Sequence, residues 1–114
     1  MHELSIAQSL ITEVQDALPV DCPPEQVRII HLQVGALSGV VPEALTFAFE
    51  CLAPDTPLAD ATLQIHTKPA FWVCQSCNAQ WNSTQILDAC PTCSGIEIRL
   101  SGSRDLSVRQ VEIE

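Results

Sequence analysis

The chain has 114 residues, 46% of them apolar, and its 5 basic and 14 acidic side chains give a formal charge of −9. That length allows one small domain, or a small domain with a smaller appendage, and the apolar fraction excludes global disorder. The acidic balance repels polyphosphate and anionic lipid, so neither nucleic acid nor a membrane surface is expected as a partner.

The first residues read Met1-His2-Glu3-Leu4, with neither a basic region nor a continuous apolar stretch, so no secretory signal is read there. Leu4, Ala7, Leu10, Ile11, Val14 and Leu18 then recur at three- and four-residue steps. This predicts an amphipathic helix that starts almost at the first residue and is stopped by Pro19 and the Pro23-Pro24 pair. Val27 to Val34 is β-branched, and apolar on both faces at first, which predicts an internal strand. Gly35 to Gly39 reads as a turn, after which Pro42 suits the first turn of a second helix. Its stripe is Leu45, Ala48, Phe49 and Leu52, and Pro54 ends it.

Beyond the loop from Asp55 to Asp60, Leu63 and Ile65 alternate with Thr62, Gln64 and His66 in a second strand. Pro69 marks the boundary of a cysteine module that runs to about Ile98, and Ser101-Gly102-Ser103 is a turn. In the last strand Leu106 and Val108 fall on one parity, Val111 and Ile113 on the other. That phase change predicts a β-bulge near Arg109. No window approaches the roughly 18 apolar residues of a membrane span.

Cys74-x-x-Cys77 and Cys90-x-x-Cys93 are the strongest chemical signal in the chain. Two thiolates separated by two residues converge on one cation from a tight backbone knuckle. Two such knuckles supply the four soft ligands that tetrahedral Zn²⁺ prefers, at Zn–S distances of about 2.3 Å. Pro91 favours the turn of the second knuckle, and the 12 residues between Cys77 and Cys90 are enough for a hairpin. Two disulfides or four unrelated thiols are the alternatives. With all four positions filled by protein, such a zinc is structural rather than catalytic. The module is too short to bury much apolar surface, so the metal would supply its folding free energy, on the order of 10–16 kcal/mol. Four thiolates and one Zn²⁺ would bring the formal charge to about −11. Six cysteines without an export signal point to a reducing cytoplasm, and Cys22 and Cys51, which lack ligand spacing, read as ordinary free thiols.

His2 admits two readings: a solvated residue beside a terminus, or a chelating ligand. The Met1 amine, the His2 imidazole and the backbone amides of His2 and Glu3 lie within a few bonds of one another, and nitrogen sets of this kind favour Ni²⁺ or Cu²⁺ over zinc. Met1 is expected to survive processing beside the bulky His2. Glu3 could add a carboxylate or simply favour the helix N-terminus. His31 and His66 fall within strands, far from any partner in sequence, and read as satisfied or exposed strand residues. Trp72 and Trp81 flank the first knuckle, where their rings are expected to form the module's small core. The glycines at 35 and 39 lack the Lys-Ser/Thr ending of a phosphate loop, and no nucleophile with a neighbouring base is visible.

Met1-His2-Glu3-Leu4-Ser5, then Val34-Gly35-Ala36-Leu37-Ser38-Gly39-Val40-Val41-Pro42-Glu43, then the two knuckles, then Ser101-Gly102 and the closing Val111-Glu112-Ile113-Glu114 together resemble the HypA/HybF family. These are the nickel metallochaperones of [NiFe]-hydrogenase maturation, and the resemblance spans essentially the whole chain. It implies an α+β fold: a small mixed three-stranded sheet with two helices, formed by residues 1–69 plus 99–114 and interrupted by a zinc-ribbon subdomain at 70–98. It implies nickel as cargo, held by the Met1 amine and His2 with Glu3 close by, and a structural zinc on Cys74, Cys77, Cys90 and Cys93. It also implies a HypB-like GTPase as partner and the hydrogenase large subunit as client, with no enzymatic activity in the chain itself. The rival readings are a zinc-ribbon nucleic-acid-binding protein, which the charge disfavours, and a rubredoxin-like electron carrier. The large helical body and the short interval between knuckles count against the second.

Overall fold

A computed structural model describes residues 3–83, 85 and 87–114. Helix α1 spans Glu3–Ala17, strand β1 Val27–Gly35, helix α2 Pro42–Leu52 and strand β2 Thr62–Lys68. Strands β3 (Phe71–Cys74), β4 (Gln80–Asn82) and β5 (Ile98–Ser101) follow, and β6 (Leu106–Ile113) closes the chain.

β1 is the central strand of a mixed sheet of order β2-β1-β6, parallel to β2 and antiparallel to β6. Alternation decides which side of it the helices cover. Ile30, Leu32 and Val34 point inward and are almost fully buried, while His31 and Gln33 between them lie on the other face. Against the inward set pack Ile6, Ala7, Leu10, Ile11 and Val14 of α1 and Leu45, Ala48 and Phe49 of α2. Ile6 joins the buried stripe, whereas Leu4, two residues ahead of it, is 53% exposed. Pro42 opens α2 as its missing N–H predicts, and Ser38 Oγ accepts the Val40 N–H just before it at 3.2 Å. The bulge in β6 falls where the parity breaks. Gln110 faces His31 and Val108 faces Leu32, leaving Arg109 unmatched between them.

The second sheet, order β4-β3-β5, is antiparallel throughout and carries the first knuckle at the end of β3. The molecule measures 57 × 24 × 18 Å with a radius of gyration of 18.4 Å. A single compact body of this length would have about 13 Å, so the two sheets lie end to end rather than sharing one core. The chain leaves the first sheet after β2 and returns through Gly102 and Ser103. A Cβ on Gly102 would come within 3.0 Å of Ala70, so outgoing and returning segments touch. Ala36 N–H donates to Lys68 O at 2.9 Å and Leu37 N–H to Ser103 O at 2.9 Å, tying both crossings to the end of β1.

Candidate metal centre

Each cysteine pair sits in a backbone knuckle, and the two knuckles have the same hydrogen bonds. In the first, Asn78 N–H donates to Cys74 O at 3.0 Å and Cys74 N–H to Ala79 O at 2.9 Å. In the second, Ser94 N–H donates to Cys90 O at 2.9 Å and Cys90 N–H to Gly95 O at 2.8 Å. β3 and β4 flank the first knuckle, and Gln75 N–H reaches Glu97 O at 2.8 Å just ahead of β5. Backbone pairing therefore brings the second knuckle against the first.

The four sulfurs lie within 4.8 Å of one another, with Cys74 Sγ 3.6 Å from Cys93 Sγ and Cys77 Sγ 3.6 Å from Cys90 Sγ. A disulfide needs about 2.05 Å, so none of these pairs is bonded. Four sulfurs held tetrahedrally at about 2.3 Å from one ion stand about 3.8 Å apart. The observed spacing fits that cage, and the all-sulfur donor set suits a soft or borderline ion. Packing leaves the cage little slack. A Cβ on Gly95 would meet Cys93 Sγ at 3.3 Å and Cys74 Sγ at 3.6 Å. Trp81, 8% exposed, packs with the buried Cys74 and Cys90, and its Nε1 donates to Gln85 O at 3.2 Å. Trp72 packs on the same cluster.

The protein polarises the four thiols unequally. The N–H groups of Cys77 and Ser76, directed at Cys74, hold its thiol below the usual range against the opposing effect of burial. At Cys90 burial raises the pKa, but the N–H groups of Cys93 and Thr92 and the neighbouring thiols outweigh it and bring it down to about 6. At Cys77 the Ala79 N–H favours the thiolate, yet burial and three sulfur neighbours push the thiol up to about 12. At Cys93 the Gly95 N–H is likewise outweighed, chiefly by the Cys74 sulfur, and the thiol is raised. The leading, buried cysteine of each knuckle thus gives up its proton readily, and the trailing, exposed one keeps it.

Of the three N-terminal residues singled out, Glu3 is the half-buried first residue of α1, and Met1 and His2 lie outside the described residues. His31 and His66, read from the sequence as unrelated strand residues, are brought together. His31 Nδ1 lies 2.9 Å from His66 Nε2, and His31 Nε2 lies 2.5 Å from Glu112 Oε2. The available signal was parity: each histidine stands on the polar side of its strand, and a parallel β1–β2 pairing sets those sides flush. Among the described residues no helix is long and apolar enough to cross a membrane.

A mixed sheet backed by two helices and carrying an inserted four-cysteine ribbon defines a small α+β metal-binding protein. Residues 1–113 match the family model described as "HypA: Hydrogenase/urease nickel incorporation, metallochaperone, hypA". The hydrogenase maturation factor HypA of Albidiferax ferrireducens is 32% identical over 114 residues, all of both chains. That of Geotalea uraniireducens is 34% identical over 114 residues, again all of both chains. That of Chloroflexus aurantiacus is 43% identical over 94 residues, 82% of each chain. In fold the chain is similar to the solution structure of the Ni metallochaperone HypA from Helicobacter pylori, with a TM-score of 0.63 at 20% identity over 99% of this chain and 97% of that one. The chain belongs to the HypA family: it is a nickel-incorporation metallochaperone of hydrogenase maturation, and not an enzyme.

Proposed function

We propose that this protein carries single Ni²⁺ ions on its N-terminal residues and keeps a Zn²⁺ on the cysteine ribbon. The Met1 amine and the His2 imidazole hold the nickel, with Glu3 as the nearby carboxylate; Cys74, Cys77, Cys90 and Cys93 hold the zinc. The observation that carries this reading is that the family match begins at residue 1, so Met1-His2-Glu3 lies inside the stretch that defines a nickel carrier. The described part of helix α1 opens on Glu3, which supports it, because the backbone of that residue is held next in sequence to Met1 and His2. A nitrogen-rich terminus and an all-sulfur cage prefer different ions, so cargo and structural metal are sorted by ligand chemistry.

Residues 1–69 plus 102–114 form the nickel-carrying unit and residues 70–101 the zinc unit, three residues more than the 70–98 read from the sequence because β5 pairs with β3; the zinc unit's role is to keep a docking surface in shape. The partner is a HypB-like GTPase and the client the hydrogenase large subunit, both in the cytoplasm. Nickel passes by ligand exchange, and nucleotide hydrolysis belongs to the partner.

His2→Gln tests the nickel site. It removes the imidazole and leaves Ile6, Ala7, Leu10 and Ile11 of α1 in the core. Stability should move by no more than about 0.5 kcal/mol, zinc content should stay at one per chain, and nickel binding should fall sharply. Nickel binding equal to wild type in this variant overturns the N-terminal assignment.

A further inference from the structure

The sheet face turned away from the helices carries a cluster that the nickel and zinc readings leave unused. His31 on β1, His66 on β2 and Glu112 on β6 stand side by side there, one from each strand of the sheet. The His31 and His66 ring planes are inclined by only 21° with centroids 5.1 Å apart, yet their nearest nitrogens are 2.9 Å apart. The rings therefore meet edge to edge, nitrogen toward nitrogen, and do not lie face on face. Two lone pairs aimed at one another repel, so something positive must lie between them: a proton, or a metal ion.

We propose that His31 Nδ1 and His66 Nε2 form a second cation site, for a divalent late transition ion of the Ni²⁺ or Cu²⁺ class. Three features of the cluster support it. Two imidazole nitrogens stand only 2.9 Å apart, close enough that a small turn of each ring lets both reach one ion, and a pair of imidazoles suits a late first-row ion. Glu112 Oε2, 2.5 Å from His31 Nε2, places that ring's proton on Nε2 and leaves Nδ1 with its lone pair. A carboxylate behind a ligating imidazole is how proteins fix the tautomer and raise the basicity of metal-bound histidine. Strand pairing also holds the two ligands at fixed separation, since Gln33 faces His66 and Gln64 faces His31 in the parallel register.

Without metal, His66 donates its Nε2 proton to His31 Nδ1. When the ion binds, that proton moves to His66 Nδ1, both lone pairs become available, and no net proton is lost from the two neutral rings. Each ring turns about its Cβ–Cγ bond, a soft torsion, until its lone pair meets the ion. Water fills the remaining positions from the solvent side, where His66 is exposed and the Glu112 side chain is 46% exposed.

The site uses none of the proposed N-terminal ligands, and the test separates the two. The protein to use is zinc-loaded full-length His2→Gln, in which His31 and His66 are the remaining histidines of the 3 in the chain. Ni²⁺ is titrated in by calorimetry while the imidazole nitrogens are followed by NMR. One ion per chain should bind, more weakly than the N-terminal ion of the wild type and one fewer than the wild type takes up, with loss or shift of both ring signals. His66→Gln in that background should abolish this binding, and Glu112→Gln should weaken it about 10- to 100-fold. Ring signals that do not respond to Ni²⁺ overturn the proposal, as does binding unchanged by His66→Gln. The backbone amide spectrum reports whether each variant keeps the sheet. The ring signals of the His2→Gln parent decide the matter even if a further variant does not fold.

Discussion

Gly35 and Ser103 touch backbone to backbone. A Cβ built on Gly35 would lie 2.1 Å from the carbonyl oxygen of Ser103 and 2.4 Å from its carbonyl carbon. Neither atom can turn aside as a side chain could. The end of β1 is thereby pressed against the segment returning from the cysteine ribbon, and the Gly35 N–H donates to Asp105 O at 2.7 Å across the same contact.

Gly35→Ala should therefore push the returning segment outward and strain the bonds on both sides of it. We expect a loss of about 1–3 kcal/mol, the usual cost of forcing an extra methyl into a filled site. Gly39 makes the comparison. It needs its glycine for a φ of 82°, but nothing lies within 4 Å of where a Cβ would be. Gly39→Asn, which tolerates that backbone, should cost much less. Urea midpoints for the two variants measure the difference, and equal midpoints would contradict the close approach at Gly35.

Replacing Cys74 or Cys90 by Ala should release the ribbon's metal and unfold residues from about 70 to 101, because among the described residues its buried core is Cys74, Trp81 and Cys90, with Trp72, Ala79 and Ile98 packed against them. The core of α1, α2 and β1 shares no buried residue with the ribbon cluster and should survive. Metal analysis with hydrogen exchange resolved by segment checks both halves. Protection retained across β3 to β5 in the metal-free variant would show that the ribbon folds without its ion.

Zinc uptake should release fewer protons than four independent thiols would. At pH 7.5 Cys90, at about 6, is already a thiolate, while Cys77, at about 12, and Cys93, raised above 9.0, still hold their protons. Cys77 and Cys93 give two protons, and Cys74, whose pKa is lowered from 9.0, contributes at most one more. Protons compete with the ion for these sulfurs, so affinity rises with pH, about 100-fold per unit where two protons leave. It should fall more steeply once the pH drops below about 6 and Cys90 is protonated as well. Calorimetry in buffers of different ionisation enthalpy counts the protons; four at pH 7.5 would be incompatible with a depressed Cys90.

An N-terminal extension on the otherwise unchanged chain should reproduce the nickel defect of His2→Gln, since it turns the Met1 amine into an amide. Folding and zinc content should not change, as the buried stripe of α1 starts at Ile6. Equilibrium dialysis of tagged and untagged protein against Ni²⁺ makes the comparison.

Much of this architecture could be read from residue spacing. The two helices and the three strands of the body follow from periods of 3.6 and 2, and the bulge at Arg109 from a single break of parity. The cysteine cage was legible because its ligands come in pairs close in sequence. The His31–His66–Glu112 cluster was not, because its members are separated by 35 and 81 residues and meet only through strand pairing. Register is a tertiary fact, and short apolar strands do not declare which neighbour they choose. Strand β5 is hidden for a related reason. Ile98 to Ser101 contains one turn-forming residue and one Arg, and its structure comes from pairing with β3 rather than from its own pattern.

Ala70 and Gly102, in contact where the chain leaves and re-enters the first sheet, bracket an excursion whose two ends meet. An excursion of this kind asks little of the body that carries it. Closing a flexible loop costs entropy that grows only with the logarithm of its length, so β2 and β6 can flank β1 whether the intervening thirty or so residues are ordered or not. The ribbon can then gain or lose its ion, and with it its shape, as a separate cooperative unit. With zinc in the ribbon, as proposed above, zinc supply would set the conformation of one end of the molecule while the other keeps its fold, and would give a nickel carrier a reading of a second metal.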